Sequence, residues 1–237
     1  MNVIVALSGP AALSAKAATS TIPIVFLVGG DPVEQGLVAT LNRPGGNVTG
    51  VTMLNRELLP KRLEVLHELL PSARTTAVLF NPTNPIAAIQ SREAEAAART
   101  LGVQLHILHA SSEGDFDAAF ARMAQLKADG LVIAPDALLE RHKEQLAALT
   151  LRDAVPAIYA YREFVEAGGL MSYGDSQAEA GHQVGLYTGR ILKGEKPADL
   201  PVQQITKIEL IINLKTAKAL GLTFPITLLG RADEAIE

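Results

Sequence analysis

Short apolar runs alternate with longer helical stretches between Thr76 and Tyr173, and this restricts the fold more than any other feature of the 237-residue chain. Residues 76–80, 104–109, 130–134, 156–159 and 170–173 have the length and composition of strands. Residues 85–101, 116–127, 138–149 and 162–167 lie between them and predict helices. Strict βα order with short turns predicts a parallel, doubly wound sheet. Each intervening helix is long enough to carry the chain back for another parallel strand.

The flanks repeat the pattern less completely. Residues 3–7 form a short β run ended by Ser8, Gly9 and Pro10, and 11–18 suit a small helix. Residues 22–28 predict a buried strand, and Asp31 before Pro32 predicts an N-cap with proline at the first helical position of a helix over 33–41. A dense turn signal follows at 42–47, then a strand over 48–52. Leu59, Leu63, Leu66 and Leu70 recur at helical spacing, so 60–70 reads as a crossover helix. After the alternating region come a helix over 176–192, a linker over 193–201, a strand over 207–213 and helices over 214–220 and from Pro225. Gly181, Gly185 and Gly189 recur every fourth residue of the helix over 176–192, which predicts close packing against another backbone. The expected division is a first lobe of residues 1–58 with 193–237, and a second lobe of residues 59–192.

Composition narrows the chemistry. Apolar residues make up 48% of the chain and aromatic residues 4%, which calls for an aliphatic core of the kind that fills helix-covered parallel sheets. The net charge is −4 with no basic run, so no nucleic-acid partner is expected. With no cysteine there can be no disulfide, zinc-thiolate site or thiol nucleophile. No apolar run reaches the ~18 residues of a membrane span. The first ten residues lack the basic start of a signal peptide.

Ligands of open parallel sheets bind outside the carboxyl ends of the strands. Just past each predicted strand stand Ser8, Gly9, Pro10 and Ala11, then Gly30 and Asp31, then Thr52. In the second lobe they are Asn81 and Asn84, Pro135 and Asp136, Tyr161 and Arg162, and Tyr173, Gly174 and Asp175. This set is polar, aromatic and short-chained, and suits hydrogen bonding to a small amphipathic molecule near helix N-termini. Each member has a structural alternative. Asp31 and Asp136 could cap helices, Asn81 and Asn84 could form an Asx turn, and Arg162 could pair with Glu163 or Glu166. Tyr161 and Tyr173 could be ordinary half-buried residues.

Catalytic and metal-binding patterns are missing from the sequence. It has no GxGxxG, no Walker loop and no Gly-x-Ser-x-Gly elbow, and its five histidines do not take metal-ligand spacing. The expectation is a binding protein with no catalytic residue, metal or cofactor.

Five blocks of sequence carry a family resemblance. They are Ile22-Pro-Ile-Val-Phe26, Gly30-Asp-Pro-Val33, Arg43-Pro-Gly-Gly-Asn-Val-Thr-Gly-Val51, Arg162-Glu-Phe-Val-Glu-Ala-Gly-Gly-Leu-Met-Ser-Tyr-Gly174 and Ile212-Asn-Leu-Lys-Thr-Ala-Lys-Ala-Leu-Gly221. In these blocks, and in their order, the chain resembles the tryptophan/tyrosine-type substrate-binding proteins of bacterial ABC transporters. The resemblance implies two doubly wound lobes of the type I periplasmic-binding-protein fold, joined by crossovers and closing on a ligand by hinge motion. It implies a periplasmic protein or lipoprotein that passes an aromatic amino acid, or a related aromatic or organic acid, to a membrane permease. It places the family's cleft segments at Ser8–Ala11, Gly30–Asp31, Asn81–Asn84, Pro135–Asp136, Tyr161–Arg162 and Tyr173–Gly174. It also implies that two βα units, roughly 60 residues, precede Val3 in relatives. A first lobe truncated at its N-terminus would expose sheet edges, and a homodimer could cover them. The alternative from a different class is a ligand-sensing regulatory domain on the same fold.

Overall fold

The computed structural model describes residues 2–53 and 58–237. The chain divides into two compact units, Met1–Asn55 with Asp175–Lys207, and Arg56–Gly174 with Ile208–Glu237.

The first unit holds a four-stranded sheet in the order β1-β2-β3-β9. β1 (Ile4–Ala6), β2 (Ile24–Val28), β3 (Val48–Thr52) and β9 (Gln203–Gln204) pair in parallel, each with the next. Every residue of β2 and β3 is buried, so both sheet faces are covered. Alternation along β2 sends Val25 and Leu27 to one face and Ile24, Phe26 and Val28 to the other. α8 (Gln177–Leu192) covers the first face through Ala180, Val184, Tyr187 and Ile191. α1 (Gly9–Ala18) contributes Ala12 to the second.

The second unit holds a seven-stranded sheet in the order β11-β10-β8-β7-β6-β4-β5. β4 (Thr75–Phe80) pairs in parallel with β5 (Gln104–His109) on one side and β6 (Gly130–Ile133) on the other. β7 (Ala157–Tyr159) and β8 (Met171–Asp175) continue outward in parallel. Along β4, Ala77 and Leu79 face one core while Val78 and Phe80 face the other. The first core is closed by Phe116, Phe120 and Met123 of α4 (Phe116–Leu126) and by Leu146 and Leu149 of α6 (Lys143–Arg152). The second is closed by Leu59, Leu63, Leu66 and Leu69 of α2 (Leu58–Leu69) and by Ala87 and Ala94 of α3 (Ala87–Leu101).

Several expectations need correction. Residues 208–237 lie in the second unit, because β10 (Ile208–Asn213) and β11 (Glu234–Ile236) extend its sheet. The helix over 177–192 lies in the first, because its apolar stripe packs on β2 and β3. The second sheet is not wholly parallel. Asn213 N–H donates to Leu170 and Ser176 N–H donates to Lys207, so residue numbers fall along β10 as they rise along β8, and the two strands run antiparallel. Residues 33–41 form turns rather than a helix. Asp31 does cap a single turn, but Gly36 leaves it at φ 70°, a left-handed conformation that ends helical winding. The helix expected over 138–149 is two helices, α5 (Ala137–Arg141) and α6, separated at His142. α8's glycines do not pack against another backbone among the described residues: none of the three has a described heavy atom of another element within 4 Å of where a Cβ would stand.

Candidate functional site

The chain passes from β4 to β5 on one side of the second sheet, then returns to β6 on the other side of β4. The order therefore reverses between β4 and β6. Such a switch point leaves a crevice at the strand ends, where open α/β sheets bind ligands. Asn81 follows β4 there, and Pro135 and Asp136 follow β6.

Three of the expected residues meet at this point. Asp136 is the N-cap of α5, and its Oδ1 accepts from Leu138 N at 2.8 Å and Leu139 N at 3.4 Å. The same oxygen accepts from Asn81 Nδ2 at 3.1 Å, and Oδ2 accepts from Asn84 Nδ2 at 2.9 Å. Asn81 Oδ1 closes an Asx turn by accepting from Thr83 N at 3.0 Å and Thr83 Oγ1 at 2.8 Å. Asn84 Oδ1 accepts from Ile86 N at 3.2 Å. The cap and turn alternatives are therefore realised, and they also preorganise the group. Each Asn amide still has a second N–H, and Asp136 Oδ2 still has an acceptor direction. Half-buried at a strand end, the cluster offers two neutral donors beside one anionic acceptor. That pairing suits a zwitterion, its carboxylate on the amide N–H groups and its ammonium on Asp136. Pro135 is buried directly before the cap.

The other second-unit residues have different surroundings. Tyr161 is 5% exposed and belongs to the apolar core with Phe164 and Tyr159, which leaves its ring no free face to stack on a ligand. Arg162 opens α7 (Arg162–Glu166), and its Nε donates to Glu166 at 2.7 Å. Its Nη1 and Nη2 donate to both oxygens of Glu234 in β11, at 2.6 and 2.9 Å. These bonds hold the Glu234 carboxyl below its usual range. They also commit the guanidinium of this strand-end candidate to carboxylates of the protein itself.

Tyr173 lines a depression of about 430 Å³ with Lys61, Ile208, Leu210, Arg231 and Asp233. The antiparallel course of β10 brings its first residues to the carboxyl end of β8 and so forms this wall. Gly174 admits no side chain, because a Cβ there would stand 2.0 Å from the Ala160 carbonyl oxygen.

In the first unit, Ser8 Oγ caps α1 by accepting from Ala11 N at 3.3 Å. Pro10 and Ala11 are exposed in its first turn. Gly30 is buried and accepts Thr52 Oγ1 at 2.7 Å, while Asp31 Oδ1 accepts from Val33 N at 2.7 Å.

Two residues escaped sequence reasoning. Arg62 is fully buried, and its Nε donates to the Tyr173 carbonyl at 2.7 Å. The signal was present: Arg62 falls on the apolar face of α2, three residues after Leu59 and four before Leu66. Gln35 places its amide against Gly9 and Gly30, the glycines that follow β1 and β2. No sequence spacing indicates this.

Among the described residues no group of three or more His, Asp or Glu side chains could hold a metal ion, and no described helix is long and apolar enough to cross a membrane.

The family model described as "ABC transporter substrate binding protein" matches residues 1–236. This chain belongs to that family. A relative from Clostridioides difficile (strain R20291), the "Tyrosine-binding protein", is 29% identical over 221 residues, which are 93% of this chain. The chain spans 63% of the length of that curated relative. The crystal structure of an ABC domain in complex with L-Trp, from Streptococcus pneumonia, is 28% identical with a TM-score of 0.86, covering 99% of this chain and 80% of that one. A conserved domain protein from Vibrio cholerae is 31% identical with a TM-score of 0.87, covering 98% of this chain and 78% of its own.

Proposed function

We propose that the chain is the solute-binding part of an ABC importer and that its solute is an aromatic amino acid or a closely related carboxylated aromatic. The observation that carries this reading is the Asn81–Asn84–Asp136 cluster at the β4/β6 switch point, in a chain of this family. Its two amides and one carboxylate match the two charged groups of an amino acid. A relative named for tyrosine and another solved with L-Trp support an aromatic side chain. Chemistry at the site is limited to binding, since the cluster contains no nucleophile with an adjacent base. The partner is then a membrane permease, and the working location is outside the cytoplasmic membrane, as a periplasmic protein or an anchored lipoprotein.

Titration calorimetry of the chain with L-tyrosine, L-tryptophan and their deaminated acids tests the reading. The amino acids should bind, and Asn84→Ala should weaken them by about tenfold, the scale of one hydrogen bond to a charged group. Binding that is indifferent to Asn81, Asn84 and Asp136 would refute it.

Where the working protein has the first lobe as it stands in this sequence, the reading also includes a homodimer. β1 has one hydrogen-bonded neighbour among the described strands, and Val5 within it and Leu7 just after it are exposed. An edge of this kind is a template for pairing with a second chain. Sedimentation velocity should show a dimer that Val5→Lys dissociates, whereas a monomer at all concentrations would exclude this part of the reading.

A further inference from the structure

The depression beside Tyr173 is lined wholly by residues of the second unit, and none of Asn81, Asn84 and Asp136 lines it. Alternation along β8 sends Met171 and Tyr173 to the sheet face that α2 covers, and the Tyr173 ring packs at the edge of that core. The strand order puts β7 between β8 and β6, with β4 beyond. At about 4.8 Å between neighbouring strands, the depression's wall stands roughly 10–15 Å from the strand ends that carry Asp136 and Asn81.

The remaining walls are held by bonds within the unit. Asp233 N–H donates to the Leu210 carbonyl at 2.9 Å, and Asp233 Oδ2 accepts from Leu210 N at 2.8 Å, which fixes the entry to β11 against β10. Arg231 Nη1 donates to Glu68 Oε2 at 3.0 Å, and Lys61 Nζ donates to Glu64 Oε2 at 2.6 Å, both glutamates being on α2. Neither glutamate lines the depression. Both pairs are exposed, and exposed pairs contribute little, so a competing anion can take either cation at small cost.

Hydrogen-bonding capacity is left over. Among the described residues no hydrogen bond reaches Arg231 Nε or Nη2, the Tyr173 hydroxyl or Asp233 Oδ1, and Lys61 Nζ keeps two further N–H groups. Donors therefore outnumber acceptors. Ile208, Leu210 and the Tyr173 ring make the rest of the wall apolar. A volume of about 430 Å³ is that of a small-molecule pocket. The occupant that satisfies the donors and also removes this apolar wall from water is an anion on an apolar body.

We propose that the depression is a second binding site, for a small monocarboxylate with an apolar body. The carboxylate meets Arg231 and Lys61, and the body lies against Ile208, Leu210 and Tyr173. Asp233 sets the charge limit, because its spare oxygen repels a second negative charge and so disfavours dicarboxylates and phosphate. The site takes its own molecule through its own residues, so it stands apart from the amino-acid reading above.

The test is titration of the full chain with 4-methylpentanoate, which has neither amine nor ring, with its neutral amide and with inorganic phosphate, followed by backbone amide NMR shifts. The acid should shift residues 208–210 and 231–233 saturably, and the neutral amide should bind about tenfold or more weakly. Arg231→Gln should weaken the acid about tenfold and leave L-tyrosine binding within twofold. Asp233→Asn keeps an acceptor for Leu210 N and should strengthen the acid about threefold. Shifts centred elsewhere, no saturable shift, or phosphate or the neutral amide binding as tightly as the acid would overturn the proposal. Unchanged acid binding in both variants would overturn it too. Failure of the unsubstituted chain to bind L-tyrosine would count against the amino-acid reading alone.

Discussion

Asp136 accepts from two backbone N–H groups and two asparagine amides, so one carboxylate both starts α5 and aligns the polar face beside it. Asp136→Ala removes the cap and releases both asparagines. It should lower stability by about 2 kcal/mol in urea denaturation. Gly174 shows a second residue-scale constraint. Gly174→Ala drives a methyl group into the Ala160 carbonyl 2.0 Å away, so part of the backbone must move. A loss of about 3 kcal/mol is expected, seen as a lower denaturation midpoint with an unchanged slope. Arg162 and Glu234 make the third residue-scale case, and it depends on pH. The Arg162 guanidinium depresses the Glu234 carboxyl in the folded chain. Such a group contributes stability that is present above its unfolded value and is lost as pH falls through the folded one. The expected window therefore lies below about pH 4.3, the ordinary glutamate value. Glu234→Gln should flatten that acid limb of the stability profile and leave stability near neutral pH little changed, because the pair is solvent-exposed.

Among the elements, α8 best separates what the sequence determines from what it leaves open. Its extent was legible, and Ala180, Val184, Tyr187 and Ile191, three or four residues apart, pack on β2 and β3. Its three glycines suggested a close neighbour, yet they face open space. Gly185→Ala should therefore stabilise the chain by about 0.5–1 kcal/mol in thermal or urea unfolding, by limiting the unfolded backbone and improving helix propensity. Close packing would have produced the opposite sign. The strands from β4 to β8 were legible because short apolar runs bounded by turns act locally. β10 and β11 were assigned to the wrong unit, because sheet membership depends on where the chain returns after a long excursion, and no local pattern encodes that. The turn over 33–41 failed as a helix because one glycine at positive φ outweighs a good cap. The site was legible only as a set of strand ends. Asn81, Asn84 and Asp136 converge because β6 inserts on the far side of β4 from β5, whereas Tyr161 and Arg162 turn to the core and to Glu234.

At the scale of the whole molecule, the family match spans residues 1–236, and two similar structures cover nearly all of the chain. Both units use the same device, parallel strands whose carboxyl ends carry short polar loops. In the second unit a carboxylate organises the loops, and in the first a pair of glycines admits Gln35. We propose that this chain binds an aromatic amino acid through the Asn81–Asn84–Asp136 cluster. Calorimetric titration of L-tyrosine and L-tryptophan into the chain and into Asp136→Ala tests it most directly. Saturable one-to-one binding of at least one of them is expected, weakened about tenfold or more in Asp136→Ala while the variant remains folded by circular dichroism. Absence of binding by both amino acids, or equal binding by the two proteins, would contradict it.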